Sequence, residues 1–593
     1  MPSLDLGVVG NCNHAALIDR QGCIVWWCLP AFDGDPVFCR LLNQSGEQGF
    51  FDIVPADGLA WSEQEYIPNT AILRTRLYDS MGNGLQITDV APRFTMFGRR
   101  FRPPTITRIL EPIAGKPSIV IRLRPSFDYG ATAPNVSHGS NHIRFTFSDL
   151  NLRLTTDAPL PYILKEQKFL LNDRMTLYLG PDEPLDGPVD ETGRHFFEET
   201  LTYWRTWVRA LNIPLEWQEP VIRSAITLKL CSYEPTGGLV AALTTSIPEA
   251  ANTVRNWDYR FCWLRDAYFV VQALNQIGAH QTMEDYLLYI DDLVGTNPEQ
   301  DLQPVYGLAL ESELPERTVD SLPGYRGMGP VRSGNLAYEQ DQHDGYGHVI
   351  LASTQAFFDT RLLRQGGIDD FHRLEHLGER AFRLHAVPDA GMWELRNNQR
   401  VHTSSSLMCW AACDRLANIA AHLMLGERSR YWRKRADEIH DTICARAWNA
   451  DLGCFTGSFE GNELDANLLL LEEIGFLAAD DPRFASTVAA IEKHLRRGPH
   501  MFRYVVADDF GLPENAFIVC SFWYINALHA LGRREEAREL LEGMLASRNH
   551  LGLLSEDINT GTGELWGNFP QTYSHVGLIN CAMRLSRPWR DAR

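Results

Sequence analysis

The chain has 593 residues, of which 45% are hydrophobic and 22% are charged, and these fractions are typical of a soluble globular protein. Its formal net charge of −20 argues against nucleic acid or an anionic membrane as a partner, because both attract basic surfaces. A small neutral substrate fits this charge best. Because single hydrophobic cores rarely grow beyond about 300 residues, we expect at least two domains.

Residues 1–190 predict an antiparallel β-sandwich. Short β-rich runs recur there, and clusters of Gly, Pro, Asn and Asp separate them, which is typical of strands joined by turns. The runs are 23–29, 71–79, 105–113, 118–126, 142–147 and 174–180.

The pattern becomes helical near Glu191. Apolar residues recur at helical spacing over 192–211, which predicts a linker helix within 191–218. Successive pairs of helical segments follow: 219–231, 264–278, 282–296, 335–363, 370–386, 405–424, 428–447, 463–474, 484–497, 516–531, 533–547 and 569–586.

Twelve paired helices can close into a two-layered α/α barrel, and we assign residues 219–593 to such a domain. The alternative is an open helical solenoid. We disfavour it because the sequence shows no fixed repeat of about 30 to 45 residues.

The segment 255–266, RNWDYRFCWLRD, combines four aromatic residues with three arginines and two aspartates just before a helix. Sugars present apolar C–H faces and a rim of hydroxyl groups, so a sugar site needs aromatic surfaces together with bidentate hydrogen-bonding groups. The alternative is structural: Trp257, Phe261 and Trp263 would lie in the core, and the charges would form ion pairs.

A second segment, GMWE at 391–394, places Glu394 directly after Trp393 on a predicted loop. A carboxyl group against an indole in a closed cleft has a raised pKa, as a general acid requires. The structural alternative is a surface glutamate beside a packed tryptophan.

A third segment, 553–578, places Glu556 in a Ser-Glu-Asp run followed by a loop rich in Gly and Thr. The segment also contains Asp557 and Glu564, and the pattern alone does not say which acid is reactive. Two carboxylates on separate loops fit glycoside hydrolysis, in which one donates a proton and the other activates water or attacks carbon. Sequence spacing does not give the distance between Glu394 and Glu556.

These motifs resemble glycoside hydrolase family 15, the glucoamylase-like and trehalase-like enzymes, in the prokaryotic form with an N-terminal β-sandwich. The resemblance covers nearly the whole chain. It rests on six segments that match the family in the same order along the chain: 7–38, 255–267, 322–335, 391–394, 516–528 and 553–579.

The resemblance implies an (α/α)6 barrel that hydrolyses a terminal α-glucosyl bond with inversion. By position, Glu394 matches the general acid and Glu556 the general base. The sugar-contacting residues implied are Tyr259, Trp263, Arg265, Asp266, Trp393, Arg503 and Tyr573. One departure is Leu395, where fungal glucoamylases have a second acid, and it leaves the fungal substrate preference in doubt.

The family includes both glucoamylases and α,α-trehalases, so we expect β-D-glucose to be released from the non-reducing end of trehalose or a short malto-oligosaccharide. Inversion predicts that the two carboxyl groups lie roughly 6.5–9.5 Å apart. Two alternatives are a disaccharide phosphorylase on the same barrel, which a carboxylate at Glu556 disfavours, and a non-catalytic sugar-binding protein.

No segment predicts export or a membrane span. The apolar stretch 516–531 is too short for a span and contains Asn526 and His529. The twelve cysteines form no C-x-x-C pair, so we expect free thiols and a cytoplasmic location. We also expect no metal or other cofactor, and the sequence leaves the oligomeric state open.

Overall fold

The computed structural model describes residues 3–43, 47–296 and 301–592. Its first part contains two antiparallel sheets and a short hairpin. The strands are β1 (Leu6–Gly10), β2 (Ala15–Asp19), β3 (Ile24–Leu29), β4 (Asp35–Phe38), β5 (Phe50–Pro55), β6 (Leu59–Tyr66), β7 (Leu73–Asp79), β8 (Gly84–Val90), β9 (Phe94–Met96), β10 (Arg99–Phe101), β11 (Ile106–Ala114), β12 (Ser118–Arg124), β13 (Asn135–His138), β14 (His142–Thr146), β15 (Asn151–Thr156), β16 (Phe169–Leu170) and β17 (Met175–Pro181), with one helical turn α1 (Leu160–Leu164).

One sheet has the order β1-β2-β3-β5-β12-β16, with β4 also paired to β3, and the other has the order β13-β14-β15-β17-β11-β8-β7-β6. Period-two alternation supplies the core between them. In β12, for example, Ile119, Ile121 and Leu123 are buried while the intervening residues are partly exposed. The predicted β-sandwich is confirmed, and each predicted run coincides with a strand to within two residues.

The second part is helical. Its helices are α2 (Val189–Arg209), α3 (Gln218–Leu230), α4 (Leu264–Gln276), α5 (His280–Thr296), α6 (Asp344–Phe358), α7 (Ile368–Leu384), α8 (Thr403–His422), α9 (Gly426–Arg446), α10 (Leu470–Glu473), α11 (Pro482–Leu495), α12 (Ile518–Ala530), α13 (Arg534–Ala546) and α14 (Thr572–Leu585), with 3₁₀ turns at Leu336–Glu339, Ala466–Leu469 and Trp589–Asp591.

Short strands connect these helices. They are β18 (Ser232–Tyr233), β19 (Gly238–Leu239), β20 (Cys262–Trp263), β21 (Val305–Tyr306), β22 (Arg317–Val319), β23 (Val331–Ser333), β24 (Trp448–Asn449), β25 (Cys454–Phe455), β26 (Arg496–Arg497), β27 (His500–Met501), β28 (Ala516–Phe517), β29 (Asp557–Ile558) and β30 (Leu565–Trp566).

Six helical segments form a closed inner ring. Contacts run from α4 to α6, α8, the turn leading into α10, α12 and α14, and α14 contacts α4 again. Helices α3, α5, α7, α9, α11 and α13 pack outside this ring. The (α/α)6 barrel that the resemblance implies is therefore present.

Burial separates the two rings. Inner helix α12 is buried from Ile518 to Leu528, whereas outer helix α9 buries only Trp432, Ala436, Ile439 and Ile443. The buried residues of α9 are three or four positions apart and form a single apolar stripe, whereas α12 is apolar on all sides. The charged outer helices thus cover an apolar inner ring.

Two predicted helices are interrupted. The segment 335–363 becomes helical only at Asp344, because the Asn335 side chain caps a separate 3₁₀ turn by accepting from the Ala337 amide. The segment 463–474 starts as a 3₁₀ turn capped by Asp465.

All twelve cysteines are free thiols, and only Cys444 is partly exposed. In the described part of the chain no helix is long and apolar enough to cross a membrane. The helix α2 lies between the sandwich and the barrel, and we keep 1–190, 191–218 and 219–593 as our proposed division into domains.

Candidate active site

The residues singled out by the sequence converge at one end of the barrel. Because each inner helix is paired with an antiparallel outer helix, the inner helices run in the same direction, and the segments that precede them meet at their N-terminal ends. The cleft there has a cavity volume of about 80 Å³ and opens to solvent at its mouth. All nine predicted site residues line it: Tyr259, Trp263, Arg265, Asp266, Trp393, Glu394, Arg503, Glu556 and Tyr573.

Glu394 lies on the loop before α8, and its backbone has φ +60°, a left-handed conformation that residues other than glycine rarely adopt. Three contacts hold this turn: the Glu394 amide donates to Gly391 O at 3.1 Å, the Leu395 amide donates to Ala390 O at 3.1 Å, and Gln340 Nε2 donates to Glu394 O at 3.2 Å. Strain of this kind concentrates at functional positions, where the surrounding structure maintains it.

The indole that binds the Glu394 carboxylate is not that of the adjacent Trp393. Trp263 Nε1 donates to Glu394 Oε1 at 2.6 Å, and Arg265 Nη2 lies 3.4 Å from the same oxygen. Trp393 Nε1 instead donates to Asp465 Oδ2 at 2.7 Å. Because both donors bind Oε1, they fix the orientation of the Glu394 carboxyl group.

Glu556 lies before α14 and is fully buried. The Asn568 amide donates to its Oε2 at 3.4 Å, whereas Oε1 has no hydrogen-bond partner among the described residues. Burial raises the pKa of Glu556, and the nearby Glu249 carboxylate raises it further, while the Tyr259 hydroxyl and the Arg503 guanidinium oppose this. When it is ionised, a carboxylate with a raised pKa binds a proton more strongly than an exposed carboxylate does.

The backbone beside Glu556 leaves no room for a larger residue. Gly567 has φ +75°, and a Cβ there would lie 2.6 Å from Glu556 Cβ and 2.7 Å from Glu556 Oε2. Glycine is therefore required at this position both for its conformation and for the close approach.

Arg265 and Asp266 begin helix α4 next to Glu394. Arg265 Nε donates to Asp266 Oδ1 at 3.3 Å, and Arg265 Nη1 donates to Gln342 Oε1 at 3.2 Å. Burial raises the pKa of Asp266 to about 6 despite the arginine. Across the cleft, the Tyr573 hydroxyl is buried without a hydrogen-bond partner among the described residues, so it is free to bind a sugar hydroxyl.

Arg503 connects to a residue that the sequence motifs did not single out. Its Nη2 donates to Glu249 Oε2 at 2.6 Å, and Trp257 Nε1 donates to the other carboxylate oxygen of Glu249 at 3.4 Å. Glu249 is buried and lines the cleft. It lies outside the aromatic motif, in a segment without a distinctive pattern, so no sequence signal pointed to it.

The lining of the cleft carries a second set of paired charges. Arg255 binds Asp508 with both terminal nitrogens, at 2.7 and 2.5 Å, and Tyr504 donates to the same carboxylate at 2.5 Å. Asp509 accepts from the Arg396 amide at 2.5 Å. Arg255 belongs to the aromatic motif, so its place in the site was detectable; Asp508 and Asp509 were not.

Within residues 3–43, 47–296 and 301–592, no group of three or more His, Cys, Asp or Glu side chains is arranged to hold a metal ion. The cleft offers paired arginines and carboxylates, aromatic surfaces, and two carboxyl groups in different environments. This set of groups can bind a neutral polyol and move protons on either side of it.

Comparison with known proteins agrees with this geometry. The model for "Glycosyl hydrolases family 15" matches residues 217–583, and the model for "Trehalase-like, N-terminal" matches residues 4–158. A trehalase of Thermoplasma volcanium is 32% identical over 592 residues, which cover 98% of this chain and 93% of that protein. A trehalase of Mycolicibacterium smegmatis is 31% identical over 624 residues, covering 100% and 92% of the two chains.

Among solved structures, a bacterial glucoamylase complexed with acarbose superimposes with a TM-score of 0.70 at 13% identity, covering 98% of this chain and 94% of that one. At this identity the match shows a shared fold. The family-model match and the full-length relatives go further, and they show that this chain belongs to glycosyl hydrolases family 15 and is a glycoside hydrolase.

Proposed function

We propose that this protein is an inverting α-glucoside hydrolase whose substrate is α,α-trehalose, with Glu394 as general acid and Glu556 as general base. The observation that carries the proposal is the placement of two carboxyl groups in one cleft with opposite surroundings. Glu394 is partly exposed and bound through one oxygen, whereas Glu556 is buried with one oxygen unbound.

In this mechanism Glu394 delivers a proton to the glycosidic oxygen. Trp263 and Arg265 hold Oε1, so we assign the proton to Oε2, which is then oriented toward the leaving group. As the leaving sugar takes the proton, negative charge develops on Glu394. The indole N–H and the guanidinium stabilise that charge.

Glu556 removes a proton from water that attacks the opposite face of the sugar ring. Its Oε1 is the acceptor we assign to this step, since Oε2 already accepts from the Asn568 amide. The raised pKa makes Glu556 a stronger base once it is ionised. It also predicts that activity falls as pH drops and Glu556 becomes protonated.

The remaining groups would hold the glucose ring that is cleaved. Arg265 and Asp266 would bind its outer hydroxyls, Tyr259 and Trp263 would form an aromatic wall, and Tyr573 would add one hydrogen bond. Tyr259 and Trp263 meet edge to face with ring centroids 5.3 Å apart, so they present a corner rather than a flat platform. Arg503 and Trp393 also line the cleft, and the Arg503 guanidinium carbon is 5.9 Å from the Trp393 ring centroid.

One observation favours trehalose over malto-oligosaccharides. The full-length curated relatives at 31–32% identity are trehalases. The paired charges of Arg255 and Asp508 also line the cleft, and they would meet the second sugar ring of either substrate. The free thiols support a reducing compartment, and we propose the cytoplasm.

Glucose release from trehalose, maltose, isomaltose and soluble starch, assayed side by side at equal glucosyl concentration, tests the substrate. We expect trehalose to give the highest kcat/KM. Preference for maltose or starch would instead identify a glucoamylase-type enzyme. Product formation that requires phosphate would indicate a phosphorylase.

A further inference from the structure

The segment 256–261 lies between the cleft and the β-sandwich. It pairs with the segment 241–246: the Ala242 amide donates to Tyr259 O at 3.0 Å, and the Ala241 amide donates to Phe261 O at 3.1 Å. In an extended segment successive side chains point to opposite faces. Tyr259 accordingly lines the cleft, while its two neighbours, Asp258 and Arg260, face the sandwich and are fully buried.

Arg260 binds both domains. Its Nε and Nη2 donate to the two Asp258 oxygens at 2.8 and 2.7 Å, which closes a bidentate pair within the barrel. Its Nη1 donates to Gly34 O at 2.8 Å, and its Nη2 also donates to the Tyr129 hydroxyl at 2.7 Å. Gly34 and Tyr129 belong to loops of the sandwich. The position of Arg260, and with it the segment that carries Tyr259, is therefore fixed by groups from both domains.

A second sandwich contact reaches the other side of Glu556. Trp26 Nε1 in β3 donates to Leu243 O at 2.9 Å. The next residue, Thr244, donates through its hydroxyl to the side-chain Oδ1 of Asn568 at 2.9 Å. The backbone N–H of Asn568 in turn donates to Glu556 Oε2. The sandwich thus supports two of the groups around Glu556, namely Tyr259 and Asn568.

We propose that the sandwich domain is part of the scaffold of the active site, and that Arg260, held by Tyr129, is a positioning residue that sets the position of Tyr259 in the cleft that Glu556 also lines. The proposal rests on the assignment of Glu556 as the general base. It gives the N-terminal domain a function in catalysis, although none of the sandwich residues described lines the cleft.

The charges around Glu556 determine what a displacement of Tyr259 would do. Glu249 and the neighbouring Asp557 face Glu556 with like charge, whereas Arg503 and the Tyr259 hydroxyl favour its ionised form. If Tyr259 moves away, one of the two favourable groups is lost and the like charges remain. Glu556 then ionises only at higher pH, and the acidic limb of the activity profile moves with it.

The test compares the pH dependence of kcat/KM for trehalose in the full-length parent and in Tyr129→Phe, Arg260→Lys and Tyr259→Phe. Tyr129→Phe removes one hydroxyl, which accepts from Arg260 and also binds Ser333. We expect the acidic limb to move to higher pH by about 0.5 units, which lowers kcat/KM about threefold on that limb. Arg260→Lys should shift the limb in the same direction, and Tyr259→Phe should shift it further.

Tyr66→Phe is the matched control. Tyr66 of the sandwich also meets the barrel, because its ring lies against Arg223, while its hydroxyl binds the Val8 backbone and the residue does not line the cleft. Its profile should coincide with that of the parent. Shifts no larger than that of Tyr66→Phe in both Tyr129→Phe and Arg260→Lys would overturn the proposal, as would an unshifted profile in Tyr259→Phe.

The design separates this proposal from the assignment of the base. If Glu556→Gln keeps parental activity, the proposed mechanism fails and the positioning role fails with it. If Glu556→Gln is inactive while Tyr129→Phe and Arg260→Lys behave like the control, only the positioning role fails. Melting temperatures measured for every variant identify any loss of activity that comes from unfolding.

Discussion

At Glu394 and Glu556 the same side chain has two opposite environments, and the local backbone produces the difference. A left-handed turn places Glu394 at the cleft surface against Trp263. Glu556 is buried, and the Gly567 backbone approaches it closely. The two carboxyl groups therefore differ in burial and in hydrogen bonding.

Replacement of either carboxyl group by an amide should remove its proton transfer and leave the fold intact. For Glu394→Gln and for Glu556→Gln we expect kcat to fall at least about 10²- to 10⁴-fold, the usual contribution of general acid–base catalysis. Glu438→Gln, on the outer surface of α9, is the control and should match the parent. Parental kcat in either site variant, measured by glucose release, would remove that residue from the mechanism.

Gly567→Ala tests the close approach to Glu556. The new methyl group would overlap Glu556 Oε2, so we expect kcat to drop at least about tenfold through displacement of the base, in addition to the roughly 1 kcal/mol that alanine costs in this conformation. Gly563 in the same loop has φ +73°, and a Cβ added there would meet no other atom within 4 Å.

Gly563→Ala therefore carries the backbone cost without the overlap. Its loss of stability, measured by urea unfolding, should resemble that of Gly567→Ala, while its kcat should stay near that of the parent. Equal kcat in the two alanine variants would contradict crowding of Glu556 as the cause.

The sequence motifs identified residues that line one cleft, but they did not show which side chains contact each other in three dimensions. Tyr259, Trp263 and Arg265 belong to one aromatic and basic segment, and all line the cleft. The partner of Glu394 was predicted wrongly, because the adjacent Trp393 turns toward Asp465 and the indole in contact comes from a distant segment. Sequence adjacency does not determine which side chains meet on a loop.

At the level of elements, the loop that carries Glu394 is held at its base by one buried carboxyl group. The Asp389 and Arg400 backbones form an antiparallel bridge, and Asp389 Oδ2 accepts from the His343 amide at 2.9 Å and from the Ser405 hydroxyl at 2.7 Å. Burial raises the pKa of Asp389 to about 7. Asp389 therefore links the loop to the starts of α6 and α8.

This pKa predicts a specific dependence of stability on pH. Between about pH 4 and about pH 7 folded Asp389 keeps its proton while the unfolded chain releases it, so the free energy of unfolding decreases as pH rises through this interval. Asp389→Asn keeps an acceptor and cannot titrate. We expect the variant to gain stability relative to the parent as pH rises from about 4 to about 7. Urea unfolding across this range checks it, and a constant difference between the two proteins would contradict it.

At this level the helices were predictable because apolar residues recur at helical spacing along the chain. The exceptions, 335–343 and 463–469, contain polar residues that cap short turns, and a side chain that bonds locally competes with continuation of a helix. The closure of six pairs into a ring depends on contacts between α14 and α4, which are far apart in sequence. Helical periodicity therefore predicts the elements and not the ring.

At the level of the whole molecule, a buried ion network joins the two domains. Glu234 of the barrel pairs with Lys229 at 3.0 Å, and with Arg93, Arg100 and Arg102 of the sandwich. Burial alone would raise the pKa of Glu234, but Lys229 and Arg93 lower it to about 2. The network thus contributes stability above about pH 4 that is lost as pH falls toward 2.

Glu234→Gln should leave buried cations without their counter-charge, and we expect a loss of about 3–5 kcal/mol in the free energy of unfolding at neutral pH. The control is Glu460→Gln, which removes an exposed ion pair with Arg446 and should change stability by less than about 1 kcal/mol. Urea unfolding of both variants measures the difference. Similar small losses in the two would show that the network does not stabilise the domain interface.

The most direct test of the central claim is the anomeric composition of the first product formed from α,α-trehalose, followed by proton NMR before mutarotation. Inversion releases the glucose unit that water attacks as the β-anomer, while the other, leaving glucose unit keeps the α-configuration. The proposed roles of Glu394 and Glu556 therefore predict equal amounts of β- and α-glucose at the earliest time points. Formation of α-glucose alone would mean retention through a covalent intermediate and would contradict the mechanism.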